Sequence, residues 1–260
     1  MITQDRDGDV AVIGIDRHER RNALDVGHCL RLRHAVDDAA ASGARAIVVT
    51  GAGSSFCAGA DLTAVYGPEF RDALYSMLGT VASVPVPVIA AVNGPAIGAG
   101  TQLAIACDLR VAAPSAAFAV PTARNGLAVD PWTIRRLGLL AGGATARALL
   151  IGCETLTAET ACQRGLADRA GGLADALAWA KELAGLAPLT LGYTKRALAV
   201  LFEDAGGAGS VGSTGSVGST GSVGSTDELD QAFEAVWASE DRAEGQRARA
   251  ERRPPRFRGR

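Results

Sequence analysis

Two runs of small residues and three polar side chains are where this sequence could do chemistry. Phe56-Cys57-Ala58-Gly59-Ala60-Asp61 and Gly94-Pro95-Ala96-Ile97-Gly98-Ala99-Gly100 both lack bulk. A ligand can approach such a backbone closely, and N–H groups aimed at one point stabilise an oxyanion. The second run opens a helical stretch, whose N-terminal dipole also favours an anion. Taken singly, each run is also what a tight turn before a helix looks like. Gln102 follows the second run and donates or accepts hydrogen bonds, but carries no titratable proton at neutral pH. Thr122 has the same limit. Asp130 can hold a proton, and it directly precedes Pro131, where an aspartate suits a helix cap. Cap and acid/base are both open readings of Asp130.

Other chemistries find little support. His18, His28 and His34 all fall near the start of the chain, far from these runs in sequence. Cys29, Cys57, Cys107, Cys153 and Cys162 are odd in number and show no close paired spacing. They read as reduced thiols of a cytoplasmic protein rather than a disulfide frame or zinc site. Cys57 reads as a small buried filler. The expectation is no metal and no redox cofactor.

The elements that must position these residues follow from apolar patterning. Val10-Ala11-Val12-Ile13-Gly14-Ile15 reads as a strand, residues 30–41 as an amphipathic helix and residues 46–50 as a buried strand. Residues 86–92 read as another strand, opened by prolines that exclude helix. Strand, glycine turn and helix then recur through residues 92–106, which argues for an α/β fold. Past Gly126 the texture is helical, at residues 133–140, 144–150, 158–164 and 173–186. With 260 residues and 48% hydrophobic content, the chain can bury a sizeable core. Its formal net charge of −2 argues against a nucleic-acid partner, and no apolar run is long enough to span a membrane. Eight arginines crowd the last twenty residues and read as a solvated helix face and tail.

Taken together, the two small-residue runs, Arg20-Arg21-Asn22-Ala23-Leu24 and the stretch Pro85 through Leu103 resemble the crotonase (enoyl-CoA hydratase/isomerase) superfamily. The resemblance runs from about Val10 to Phe257. It implies an α/β crotonase (ClpP-like) spiral of ββα units with a C-terminal helical trimerisation region. Residues 1–190 would form the spiral core and residues 191–260 the helical region. It further implies a fatty acyl-CoA ligand, with coenzyme A entering as part of that ligand, and a homotrimer or dimer of trimers. The oxyanion donors would be the N–H groups of Ala58 and Ala99. Arg20, Arg21 and Ala23 would line the CoA phosphate and pantetheine path, and Ala60, Asp61 and Leu62 would border the adenine. The C-terminal Arg-rich stretch, with Arg258, resembles the family's tail, whose basic residues approach the CoA phosphates. Hydratases of this kind place two glutamates where this chain has Gln102 and Thr122. Dienoyl-CoA isomerases carry an acid/base aspartate in a stretch similar to Gly126-Leu127-Ala128-Val129-Asp130. Trp132 stands where small residues are usual, so it reads as a wall of the acyl pocket or as core packing.

The expected function is an acyl-CoA-binding member of this family in fatty-acid or lipid metabolism, with the hydratase acid/base pair lost. Two alternatives stay open: a hydratase or double-bond isomerase working through Asp130, and an acyl-CoA-dependent module that recruits another lipid enzyme. Residues 209–226 are three copies of Gly-Ser-Val-Gly-Ser-Thr, a composition from which no core can be built. Deleting these copies is expected to leave the melting temperature and acyl-CoA affinity unchanged. A marked fall in melting temperature on a thermal scan would show that the repeat packs.

Overall fold

The computed structural model describes residues 1–61, 67–203 and 226–260. Leu62 and the repeat at 209–225 lie outside the described residues.

Strands β1 (Ile2–Asp7), β2 (Val10–Ile15), β3 (Ala46–Gly51), β4 (Val88–Val92), β6 (Leu109–Ala112) and β9 (Arg169–Ala170) form one sheet in the order β1-β2-β3-β4-β6-β9. β1 pairs antiparallel with β2, and every later pairing is parallel. A small second sheet joins β5 (Pro95–Ile97), β7 (Ala117–Ala119) and β8 (Thr155–Thr157) in the order β5-β7-β8. The apolar runs of β2, β3 and β4 are continuous because both faces of the main sheet are covered. Alternate residues divide between the two faces. Ile13, Ile15, Ile47, Val49, Val88 and Ala90 join one core, which contains helices α1 (Val26–Ala41) and α2 (Pro68–Ser83). Val10, Ala46, Val48, Ile89 and Ala91 join the other, against α6 (Leu173–Ala184). Ala176, Ala180 and Ala184 give α6 a buried stripe of small side chains that lets it lie close on the sheet.

Helix α3 (Ala99–Ala106) follows β5, and α4 (Pro131–Leu150) follows the small sheet. α4 is broken by Gly142 at φ 79°, so the two helical stretches expected there are one kinked element. α5 (Ala158–Gln163) precedes β9. α7 (Pro188–Leu198), α8 (Thr226–Ala238) and α9 (Glu240–Glu251) complete the chain. α1 starts at Val26, earlier than its apolar pattern shows, because the Asp25 side chain accepts from the His28 N–H.

Arg110 is 1% exposed and ties the end of α3 to β6 and β9. Its guanidinium donates to the carbonyls of Leu166 (2.7 Å), Cys107 (3.0 Å) and Asp108 (3.2 Å) and pairs with Asp168 at 3.0 Å. Arg110→Met would leave these acceptors buried without a donor. The expected loss is about 3–5 kcal/mol, read as a lower urea midpoint with an unchanged slope.

Candidate active site

The site is built where the parallel strands β3 and β4 end. Two buried or half-buried asparagines knit the loops there. Asn22 is wholly buried in the left-handed region at φ 61°. Its amide donates to the carbonyls of Ala52 (2.9 Å) and Ser55 (2.7 Å), and its oxygen accepts from the Arg17 N–H at 2.9 Å. Asn93 accepts from the Gly51 N–H at 3.2 Å and donates to the Gly53 carbonyl at 2.9 Å.

These anchors hold residues 57–61 as a ribbon between two other segments. On one edge Cys57 donates to the Pro95 carbonyl (3.1 Å), and Ile97 donates back to the Cys57 carbonyl (2.9 Å). On the other edge Ala58 donates to the Arg21 carbonyl (3.0 Å), Leu24 donates to the Gly59 carbonyl (2.8 Å), and Asp61 donates to the Leu24 carbonyl (2.7 Å). The expectation for Ala58 is therefore corrected: its N–H is committed to Arg21 and cannot serve a ligand. A planar trans peptide carries its C=O and N–H on opposite edges. Since the Gly59 carbonyl faces Leu24, the Ala60 N–H faces away from Leu24, on the side where Ile97 and Ala99 lie. Among the described residues it has no acceptor. Ala99 is the first residue of α3, so its N–H has no intrahelical acceptor either. The free donors of the two loops are thus Ala60 and Ala99.

Two glycines make this approach possible. Gly59 sits at φ 102°, and a Cβ there would meet the Ile97 carbonyl oxygen at 2.7 Å. A Cβ on Gly100 would stand 2.0 Å from the Cys57 carbonyl oxygen.

Gln102 is buried one turn into α3. Its Nε2 donates to Thr133 Oγ1 at 2.9 Å. The Thr133 hydroxyl, also buried, donates in turn to the Asp130 carboxylate. The other oxygen of Asp130 accepts from the Trp132 N–H at 3.1 Å, making Asp130 the N-cap of α4. Trp132 is half-buried against the main core, with the Arg136 guanidinium 5.5 Å from its ring centre. Thr122 begins a short 3-10 turn, and its carbonyl accepts from the Leu127 N–H at 3.0 Å. Among the described residues, its side chain makes no hydrogen bond to the Gln102–Thr133–Asp130 chain.

Tyr75, on α2, is a site residue that sequence reasoning misses. It is half-buried against the main core, near enough to Asp130 to feel that residue's charge. Burial raises its pKa, and the Asp130 charge pushes in the same direction. The available signal was the helical period of Phe70, Leu74, Met77, Leu78 and Val81, which fixes the buried face of α2 and sets Tyr75 at its margin.

The expected CoA residues divide. Arg20 and Arg21 are exposed near the ribbon, and Ala23 is half-buried with its carbonyl accepting from Arg17 at 3.1 Å. The Asp61 carboxylate pairs with Arg17 at 3.0 Å, and Arg17 also holds Asp25 at 3.3 Å. Arg258 is not brought to these residues within one chain. Its N–H donates to Asp241 at 2.6 Å. The adjoining Phe257 carbonyl accepts from Arg45, at the opposite end of β3 from the site. Six strand residues separate the two ends by roughly 20 Å. Cys57 is fully buried, and burial pushes its thiol up to about 12, so it is no nucleophile. Among the described residues, no three His, Cys, Asp or Glu side chains converge as a metal site, and no helix is long and apolar enough to cross a membrane.

The sequence matches the enoyl-CoA hydratase/isomerase family over residues 5–260. The chain belongs to that family. It is 46% identical to "Probable enoyl-CoA hydratase echA6" of Mycobacterium leprae over 255 residues, covering 96% of each chain. The echA6 protein of Mycobacterium bovis is 45% identical over 251 residues, with the same coverage. Among solved structures, an enoyl-CoA hydratase/carnithine racemase of Magnetospirillum magneticum superposes with a TM-score of 0.85 at 27% identity, covering 100% of this chain and 96% of that one. An enoyl-CoA hydratase of Mycobacterium tuberculosis H37Rv gives 0.80 at 29% identity, covering 100% and 99%. The architecture is accordingly the α/β crotonase fold, with two sheets and C-terminal helices, and the family's ligands are acyl-CoA thioesters.

Two glycine substitutions separate close approach from general helix effects. Gly100→Ala forces backbone apart and is expected to cost about 1–3 kcal/mol. Gly138→Ala in α4, where a Cβ meets nothing within 4 Å, should stabilise by about 0.5–1 kcal/mol. Thermal melts of the two variants in parallel check the contrast.

Proposed function

We propose that this chain is an acyl-CoA-binding member of the enoyl-CoA hydratase/isomerase family, acting in fatty-acid or lipid metabolism with little or no hydratase turnover. The Ala60 and Ala99 N–H groups hold the thioester oxygen, Ala99 adding the positive end of the α3 dipole. Arg20 and Arg21 are the exposed cations available to CoA phosphates, and Trp132 walls the acyl chain. No metal or further cofactor enters the reading.

The observation that carries it is the hydrogen-bonded chain Gln102–Thr133–Asp130. Hydration needs one group to take a proton from water and another to deliver one to carbon. Gln102 supplies neither. Asp130 has one oxygen on the Trp132 N–H and the other on Thr133, so its carboxylate is engaged in starting α4. Exposed Leu198, Leu201, Phe202, Phe233 and Trp237 on the C-terminal helices support a homotrimer or dimer of trimers. The five unpaired cysteines support a cytoplasmic location. The division at residue 190 remains part of the proposal.

A second reading has Asp130 as the sole acid/base, favoured by its link through Thr133 to Gln102. Titration calorimetry with hexanoyl-CoA should show binding, and crotonyl-CoA hydration should run about 10⁴-fold or more below a two-glutamate hydratase. Rapid hydration would overturn the proposal. Exchange of the acyl α-hydrogen with deuterated water decides between the readings. Exchange that vanishes in Asp130→Asn, a variant that keeps the cap, would establish Asp130 as the acid/base.

A further inference from the structure

We propose that Arg17 is a positioning residue for the oxyanion donor at Ala60, tying the end of the ribbon to the start of α1. This rests on the acyl-CoA reading above. The Ala60 N–H is aimed by two backbone bonds to Leu24. The Gly59 carbonyl accepts from the Leu24 N–H at 2.8 Å, and the Asp61 N–H donates to the Leu24 carbonyl at 2.7 Å. Both bonds lie on one edge of the ribbon. Gly59, at φ 102°, has no side chain to restrict rotation about its backbone. The Asp61 side chain supplies a further hold. Its carboxylate meets the Arg17 guanidinium at 3.0 Å, and the pair is largely out of water, with Asp61 11% and Arg17 18% exposed.

Arg17 is itself fixed from several directions. Its N–H donates to the Asn22 side-chain oxygen at 2.9 Å. Its guanidinium donates to the Ala23 carbonyl at 3.1 Å and meets the Asp25 carboxylate at 3.3 Å. Asp25 is held in turn by His28, whose N–H and ring Nδ1 both lie 2.8 Å from one carboxylate oxygen. One planar fork therefore spans two carboxylates, one on the ribbon and one capping α1. Without it, two half-buried negative charges would repel each other, and the ribbon would be free to turn at Gly59. A lysine keeps the positive charge, but its single ammonium does not grip two carboxylates as a guanidinium fork does.

The test compares hexanoyl-CoA with S-hexyl-CoA, in which a methylene replaces the thioester carbonyl. Their affinity ratio reports contacts to the oxygen and cancels contacts to the rest of the ligand. Infrared spectra of hexanoyl-CoA labelled with carbon-13 at the carbonyl read the same contacts, since hydrogen bonds lower the C=O frequency. In the natural protein hexanoyl-CoA should bind more tightly than S-hexyl-CoA, and its carbonyl band should fall on binding. In Arg17→Lys that ratio should drop about 2- to 10-fold, the range of one neutral hydrogen bond, and the band should return toward that of free ligand. Asp61→Ala, which removes the same pair from the ribbon side, should change both readouts in the same direction. An unchanged ratio and band in either folded variant overturns the proposal. So does an equal loss of affinity for both ligands with the band in place, the mark of a purely structural role. A natural protein that binds neither ligand, or binds both alike with no band shift, refutes the acyl-CoA reading and this proposal with it.

Discussion

The peptide unit joining Gly59 to Ala60 is clamped by one edge: its carbonyl accepts from Leu24, which leaves its N–H turned the other way. Everything else in the site serves that orientation. Asn22 holds residues 52–55, Arg17 grips Asp61 and Asp25, and the Arg21 carbonyl takes the Ala58 N–H. These bonds lie on the side of the ribbon away from α3. The opposite side is held by Cys57 on β5, and Gly100 lets the α3 backbone come against it. A donor fixed in this way needs no reorganisation when a negative oxygen arrives, which is why preorganised amides are effective.

The polar chain behind the donors has a different character. It holds an amide, a hydroxyl and a carboxylate engaged in capping a helix. Such a network specifies geometry, since each member has only one way to satisfy its partners. In the function proposed above it serves recognition rather than proton transfer, because a carboxamide is a poor carrier of protons.

How much of this is legible in the sequence depends on range. Strands β2, β3 and β4 are evident from continuous apolar runs, because burial on both faces leaves no other pattern. The two small-residue loops are visible in the sequence, and only their joint resemblance to the crotonase superfamily marks them as donor loops. Which amide of the first loop is free is not evident, since it depends on residues 21 and 24 lying along the ribbon's edge. The Asp130 cap is anticipated by Pro131, but the bond from Gln102 to Thr133 depends on α3 packing against α4. Tyr75 is hidden for the same reason: α2 has a clear helical period, yet only its packing on α3 brings Tyr75 near the Asp130 charge. Arg258 shows the reverse case. By family resemblance the basic tail would approach the CoA phosphates, while within one chain the fold sends it to the far end of β3.

That distant anchoring has a consequence for synthesis. Arg45 donates to the carbonyls of Leu186 and Phe257, the second 212 positions further along the chain. The main sheet ends with β9 (Arg169–Ala170), 87 residues before Phe257, so it can be assembled before that acceptor emerges from the ribosome. Contacts so far apart close late, because loop closure must precede any gain from them. The arginine-rich tail therefore docks as a final latch on an already folded body. Nascent chains lacking only those last residues should hold a formed donor ribbon with an unlatched C-terminal region.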